Sequence, residues 1–528
     1  MLFLNERLTL KLAVLLCFIG LILEALFIRR IIDLADRRIL SHIYNTKLRS
    51  HSMLSIEQDR NHELDYRDDG YVAGVYYSNW SPYPPRNHFP HDIDFRQISH
   101  VFYSFFLVDA KSGRCISSDE YSDTQLDTYK QLEYSSQKLN LGGAKKALPQ
   151  HNNATGQNKL PLGCLGELFY LKYTNFLPAK GGPSGVNNFK TIMSVGGWSN
   201  RAAFKALVAD STKLQVFVES CVENMFKFGF DGIDIDWEFP ENDSREPAVF
   251  LKLLKLLRTK LTELENAIFG LNTTHQHFEL TAAISADPST LEYLPLAEAD
   301  SCLDYFNLMA YDFSGSWSEQ TAYQSNLYNG RQPLHARDIS GTSTNLSVDK
   351  TLQILVHQCN VPVKKIVLGM PAYGRGFKKV SYRDEIGTLA INRTFHGIQG
   401  TSKGEEGISL YKSLPGKGNK EFFDSDAVSA FCVKSKSSKK STELTVYDNP
   451  MSMLRKAQYV QQNGLAGGFW WESCGEDYTN PERSLTMRFT QELKTIRKAN
   501  STIYKQPEVA QYYKSRFGQD FLSSILQT

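Results

Sequence analysis

Cysteine is scarce in this chain. Eight residues spread over 528 positions make no disulfide scaffold. No C-x-x-C pair and no H-E-x-x-H string occurs, so the commonest zinc patterns are missing. An excess of one charge is missing too. The 59 basic and 57 acidic side chains leave a net charge of +2, which gives no electrostatic grip on nucleic acid and no broadly basic membrane-binding face. What is present is ordinary for a folded protein: 41% hydrophobic, 12% aromatic and 22% charged residues, too apolar for a disordered chain. At roughly 150 residues per domain the length suggests three or four domains, or one large α/β barrel with insertions.

The N-terminus carries a secretory signal. Leu12 to Leu23 is an uncharged apolar run preceded by Arg7 and Lys11; Glu24 interrupts it, and Arg29 and Arg30 close it after Ile28. Read to Leu23 it matches the apolar region of a signal peptide. Read to Ile28 it makes a helix of about 26 Å, slightly short of a hydrocarbon core of roughly 30 Å. Residues 1–30 are therefore a signal peptide or a signal anchor, and Leu23-Glu24-Ala25 is a poor cleavage site. The location expected is extracellular, cell-wall or membrane-anchored. Sequons at Asn79, Asn153, Asn242, Asn272, Asn345, Asn392 and Asn500 agree with that compartment, although a Ser/Thr-rich chain produces several by chance. Beyond Cys17 the cysteines are Cys115, Cys164, Cys221, Cys302, Cys359, Cys432 and Cys474; a bridge or two is possible, and spacing assigns no pairing.

Residues 31–70 read as a charged stem. From Tyr71 on, short apolar runs predict strands over 72–80, 98–108, 189–198, 230–239, 278–286, 305–313, 365–374 and 466–472. Helical periodicity falls between them at 204–228, 249–265 and 348–359. Eight near-continuous apolar strands alternating with helices predict a parallel sheet covered on its outer face, and eight is the number that closes a (β/α) barrel. A doubly wound open sheet satisfies the same periodicity. Insertions at 109–188 and 377–445 interrupt the alternation, the second ending in a Lys/Ser-rich run that reads as a solvated loop. Residues 496–528 form a tail.

One strand carries the chemistry. In the run from Phe230 to Pro240, Asp234, Asp236 and Glu238 share one face, while Ile233, Ile235 and Trp237 share the other. In a barrel the acids point inward, and burying three negative charges in a row couples their ionisation and retains at least one proton. Glu238 is nearest the C-terminal mouth, where barrel enzymes place their chemistry. A protonated glutamic acid backed by acidic neighbours suits a general acid. A structural acidic strand with solvent-exposed edges and a Mg²⁺ or Ca²⁺ site of oxygen ligands are the competing readings; Ile and Trp between the acids favour a buried strand over the first. A D-x-x-D-x-D-x-E string arises by accident in roughly one chain of this length in a few hundred, so the pattern is informative.

That string resembles the signature of the family 18 glycoside hydrolases, the chitinases. TIMSVGGWS (191–199) resembles the family's third-strand S-x-G-G motif, FNLMAYDFSGSW (306–317) its sixth-strand M-x-Y-D motif, and GMPAYGRGF (369–377) its seventh-strand segment. The stretch 446–472 resembles the approach to strand eight. The resemblance covers about 71–495, and the motif order is similar to fungal chitinases of the bacterial-type subfamily, including those associated with yeast sporulation. It implies a (β/α)8 TIM barrel with a small α+β insertion wall after strand seven, at about 377–445. It also implies a chitin or chito-oligosaccharide substrate; no cofactor or metal is expected, and a monomer is.

Asp236 and Glu238 leave one strand on one face, so this strand lacks the nucleophile that a conventional retaining enzyme places across the sugar ring. The resemblance implies the exception, attack by the substrate's own 2-acetamido oxygen. In it Glu238 is the acid and base and Asp236 orients the acetamido N–H. Asp234 shares a proton and tunes Asp236, and Tyr311 donates to the acetamido carbonyl. Met309 and Asp312 line the same subsite. All six tryptophans lie at or just after a predicted strand end, where flat apolar faces suit pyranose stacking. Core packing is the default for any one of them, and Trp237 follows it by parity. Trp470 and Trp471 must face opposite ways, and the family motif makes Trp471 the floor. Trp198, Tyr76, Phe105 and Arg375 are further cleft candidates. The glycines of SVGG let backbone approach closely. Where the family has Met two places before the eighth-strand Trp, this chain has Phe469. A non-catalytic chitin-binding lectin and an endo-β-N-acetylglucosaminidase acting on N-glycans are the competing functions.

Overall fold

The structure is a computed structural model that describes residues 70–129, 161–174, 189–269 apart from 244, 277–329, 346–381, 390–402, 406–434 and 441–497. The N-terminal apolar run, the stem up to 69, Cys17, four of the sequons, the Gly/Asn/Lys-rich patch and the tail beyond 497 lie outside them.

Eight strands close a parallel barrel: β1 (Val72–Ser78), β2 (His100–Val108), β3 (Lys190–Gly196), β4 (Gly232–Asp236), β5 (Glu279–Ser285), β6 (Tyr305–Met309), β7 (Ile366–Pro371) and β8 (Gly467–Trp471). Each pairs with the next, and β8 returns to β1 with Trp470 beside Val75. Every predicted barrel strand is present, and closure excludes the open sheet. Strand β2 bulges against β3 between Tyr103 and Phe106 and carries the antiparallel strand Cys115–Ser117 on its edge.

The helices follow from their caps and apolar stripes. Asp210 accepts the N–H groups of Thr212 and Lys213 and starts helix Ser211–Lys227. The single helix expected over 204–228 is therefore two pieces, Lys205–Ala209 and Ser211–Lys227, because the Asp210 side chain caps the second. Helix Glu246–Phe269 extends beyond 249–265 and buries Leu253, Leu254, Leu257 and Leu261 on one face, each contributing about 2 kcal/mol of transfer free energy. Asn449 caps helix Pro450–Asn463, whose end turns left-handed at Gly464.

Three apolar clusters result, one of them within the inserted sheet around Phe377, Phe431 and Leu444. A large one lies between strands and helices and includes Ile233, Ile235 and Trp237, whose indole stacks on Phe204 at 4.8 Å. A small one fills the barrel interior with Val72, Tyr76, Phe102, Ile192, Tyr305, Val367 and Phe469. Below it, at the N-terminal ends of the strands, Glu279 accepts Lys190 at 2.5 Å and meets His100 at 3.0 Å. Burial would raise the Glu279 carboxyl, but these two neighbours hold it well below the usual range.

The seventh apolar run, 365–374, is not one strand: β7 ends at Pro371 and a separate strand, Tyr373–Ser381, starts a second sheet. That sheet is antiparallel and includes Ile408–Leu410, Asn419–Asp424, Ser429–Lys434 and Ser441–Tyr447. Among the described residues of 377–445 there is a 3-10 turn at Tyr411–Ser413 and no α-helix. The tail begins attached, since Tyr71 bridges Ile496 and the Tyr71 carbonyl accepts the Arg497 N–H at 2.7 Å. Asn79 is buried and donates to Asp123 at 3.0 Å, so this sequon is closed in the folded chain. Asn242 is exposed.

Candidate active site

Alternation along β4 turns Asp234 and Asp236 into the barrel. Glu238, just past the strand end, is half-buried at the mouth. Strand register then sets their neighbours. Asp234 lies level with Ser194 on β3 and Thr281 on β5. Its carboxylate accepts four hydrogen bonds: Tyr76 at 2.9 Å and Ser194 at 2.8 Å on one oxygen, Thr281 at 2.6 Å and Asn307 at 3.1 Å on the other. Burial raises the Asp234 carboxyl, and these four donors oppose the rise.

Asp236 differs. It is as deeply buried, yet its Oδ1 has no hydrogen-bond partner among the described residues. Burial and then the charges of Glu238 and Asp234 push its carboxyl well above the usual range. Glu238 is pushed up to about 7, by burial and by the nearby Asp312 charge. The Trp198 backbone N–H bonded to it and the Arg201 guanidinium oppose the rise. A carboxylic acid that keeps its proton near neutrality thus sits at the barrel mouth, above a second protonatable acid.

The glycines at the end of β3, just before Trp198, explain how the chains come so close. Gly196 has φ 127° and Gly197 φ 81°. A Cβ on Gly196 would lie 2.1 Å from the Asp236 carbonyl oxygen, and one on Gly197 2.7 Å from the Phe105 ring. The Gly197 N–H donates to that Asp236 carbonyl at 2.8 Å.

An aromatic wall lies beside the acids. Trp471 is centred 5.7 Å from both Tyr76 and Phe105 and 6.4 Å from Trp80. Trp470 faces away, fully buried against Phe489, as parity requires. Phe469 fills the interior between Tyr76 and Tyr311, at 5.2 and 6.3 Å. Tyr311 and Met309 are half-buried against the same cluster. Burial and then the charges of Tyr373, Asp236, Glu238 and Asp312 push the Tyr311 hydroxyl well up, so it stays a donor. Asp312, left-handed at φ 60°, accepts Arg375 at 2.6 Å and the Tyr373 hydroxyl. Two tryptophans are exposed on the rim: Trp198 at 59% and Trp317 at 58%. Each has a guanidinium over one ring face, Arg201 at 3.9 Å and Arg375 at 4.6 Å.

All the candidates read from sequence therefore lie in the barrel interior or at its mouth, while Trp237 packs outside. Sequence reasoning missed Thr281 and Asn307, which with the motif serine Ser194 surround Asp234, and Tyr373 and Arg201. No group of three or more His, Cys, Asp or Glu side chains suited to a metal ion occurs among the described residues.

A closed barrel with coupled carboxylates at the C-terminal end of one strand and an aromatic wall beside them is a glycosidase arrangement. The chain belongs to the glycosyl hydrolases family 18, whose sequence model matches residues 72–477. It is 42% identical over 478 residues to the sporulation-specific chitinase 2 of Saccharomyces cerevisiae, covering 89% of this chain and 87% of that one. It is 33% identical over 410 residues to chitinase 1 of Aphanocladium album, covering 78% and 83%. Among solved structures, the catalytic domain of a psychrophilic chitinase B from Arthrobacter shares the fold with a TM-score of 0.63 at 21% identity, covering 82% of this chain and 98% of that one.

Proposed function

We propose that this family 18 glycosidase is a chitinase that hydrolyses β-1,4-linked N-acetylglucosamine polymer with retention, using Glu238 as acid and base. The observation that carries the reading is the place of Glu238, half-buried at the barrel mouth two residues beyond the buried Asp236, whose Oδ1 lacks a partner; burial and Asp312 push the Glu238 carboxyl up to about 7. The chitinase relatives from yeast and filamentous fungi support the substrate class.

In the first step the acetamido oxygen of the bound sugar attacks its own anomeric carbon. The glycosidic C–O bond breaks, and the leaving oxygen takes the proton of Glu238. Asp236, whose Oδ1 lacks a partner, accepts the acetamido N–H and stabilises the oxazolinium-like cation. Asp234 lies beneath it. Its four hydrogen bonds fix its position, and it shares a proton with Asp236 and tunes it. The Tyr311 hydroxyl donates to the acetamido carbonyl, and Trp471 supplies the apolar floor. In the second step Glu238 takes a proton from water, which opens the ring of the intermediate at the same anomeric carbon. Met309, Asp312, Tyr76, Phe105, Arg375 and Trp198 complete the cleft. A monomer routed by its N-terminal apolar segment to the cell exterior or wall, or anchored there, fits a polymer substrate.

The test is Glu238→Gln assayed on chitotriose derivatives. Hydrolysis is abolished and binding nearly unchanged; full activity would show that another group is the acid. Product analysis on chitohexaose, beside digestion of a high-mannose glycoprotein, separates chitin cleavage from N-glycan cleavage.

A further inference from the structure

Seven cysteines lie among the described residues, and their surroundings differ. Cys164 Sγ touches the Tyr77 and Ser122 hydroxyls, Cys302 the Ser301 hydroxyl, and Cys359 the Leu291 carbonyl. Cys432 touches Pro415 and Asn419, and Cys474 touches Glu472. Each of these sulfurs sits against oxygen or nitrogen. Cys115 and Cys221 instead influence each other, and the backbone of Cys115 is bonded to the residues that flank Cys221.

Backbone geometry holds the two segments together. Cys115 opens the short strand Cys115–Ser117 on the edge of β2. Its N–H donates to the Ser220 hydroxyl at 2.8 Å, and its carbonyl accepts the Asn224 side-chain amide at 2.8 Å. Ser220 and Asn224 are one turn apart on helix Ser211–Lys227, so the strand residue is held at both ends of the turn that presents Cys221. Both side chains are buried. In the structure both are thiols.

We propose that Cys115 and Cys221 are joined by a disulfide in the mature protein, linking the edge of the barrel to the helix that precedes β4. The oxidant is a disulfide of the secretory pathway, carried by a dithiol oxidoreductase or by glutathione. One cysteine thiolate attacks a sulfur of that carrier and forms a mixed disulfide. The second thiolate displaces the carrier, which leaves as two thiols, having taken up the two electrons and two protons that the cysteines lose. Burial raises the Cys221 thiol in the folded chain, so the exchange takes place before the strand docks on its helix. The link closes a loop that contains most of the long insertion after β2, and its benefit lies in restricting the unfolded chain. It does not depend on the sugar chemistry of the barrel mouth.

The experiment uses the full chain secreted from a eukaryotic host, and the same chain refolded with oxidised and reduced glutathione. Free thiols are blocked with iodoacetamide in denaturant, the sample is then reduced, and the released thiols are labelled with N-ethylmaleimide and mapped by mass spectrometry. The second label is expected on Cys115 and Cys221, with a cross-linked peptide containing both before reduction. Reduction should lower the Tm by about 3–6 °C. Iodoacetamide on both residues in the refolded chain, or a link from either to a different cysteine, overturns the proposal. Because the readout is covalent mapping, inactivity on chitin leaves it standing, and a missing link leaves the chitinase reading standing.

Discussion

Asn307 donates its side-chain amide to Asp234 at 3.1 Å across the barrel interior, although β5 lies between their strands. An amide nitrogen can only donate, so this contact favours the ionised form of Asp234. Replacing Asn307 by Leu removes a donor that opposes the rise of the Asp234 carboxyl beneath Asp236. A lost hydrogen bond to a charged group is worth about 1.5–3 kcal/mol. If that loss is felt in the transition state, kcat falls by roughly 10–100-fold while KM changes little. Steady-state kinetics on chito-oligosaccharides check it; an unchanged kcat would show that the cage around Asp234 is only structural.

The pH profile follows from Glu238. Its carboxyl is pushed up to about 7, and the reading requires its protonated form. Activity should therefore hold below pH 7 and drop about tenfold per unit above it. Arg201 pulls this carboxyl down, so Arg201→Gln should move the alkaline limb upward. The measurement is kcat/KM between pH 4 and 9. An alkaline limb near pH 4–5, the range of an ordinary carboxylic acid, would contradict the role given to Glu238.

Gly196 tests the close approach of β3 to β4. Its φ of 127° disfavours a side chain, and a Cβ there would press on the Asp236 carbonyl at 2.1 Å. Gly196→Ala should cost about 2–4 kcal/mol and displace the Trp198 N–H from Glu238. Loss of activity with a lowered Tm is expected, and a fully active variant of unchanged Tm would mean the backbone can yield.

The acids themselves were legible because one strand's alternation decides where they point. Asp234, Asp236 and Glu238 needed no knowledge of any other element, and the Trp470–Trp471 division followed from the same parity. Ser194 was legible only as the serine of the S-x-G-G motif, and Thr281 and Asn307 were not, since small polar residues carry little type signal and their meeting with Asp234 depends on the register of three separate strands. Eight strands could be counted, but their closure into a barrel is a property of the pairing of β8 with β1. The break at Asp210 was hidden for another reason: apolar periodicity continued on both sides of a capping side chain that interrupts the helix. The turn after Pro371 was similarly masked by an apolar run that spans two sheets.

Lys456 and Asp448 form a fully buried ion pair at 2.6 Å. Asp448 follows the last strand of the second sheet, and Lys456 lies on helix Pro450–Asn463, which leads to β8. The ammonium also donates to the carbonyl and hydroxyl of Ser325, at 2.6 and 2.7 Å. The pair thus ties the end of the inserted sheet to the segment after β6. Burial lowers the Lys456 ammonium and raises the Asp448 carboxyl, each opposed by its partner. Removing one member leaves the other charge in an apolar setting, so Lys456→Met should cost about 3–5 kcal/mol. Removing both with Asp448→Asn added should recover part of that loss, because no uncompensated charge remains. Thermal unfolding of the two single variants and the double variant checks the cycle. A double variant whose loss equals the sum of the singles would show that the two charges do not act as a pair.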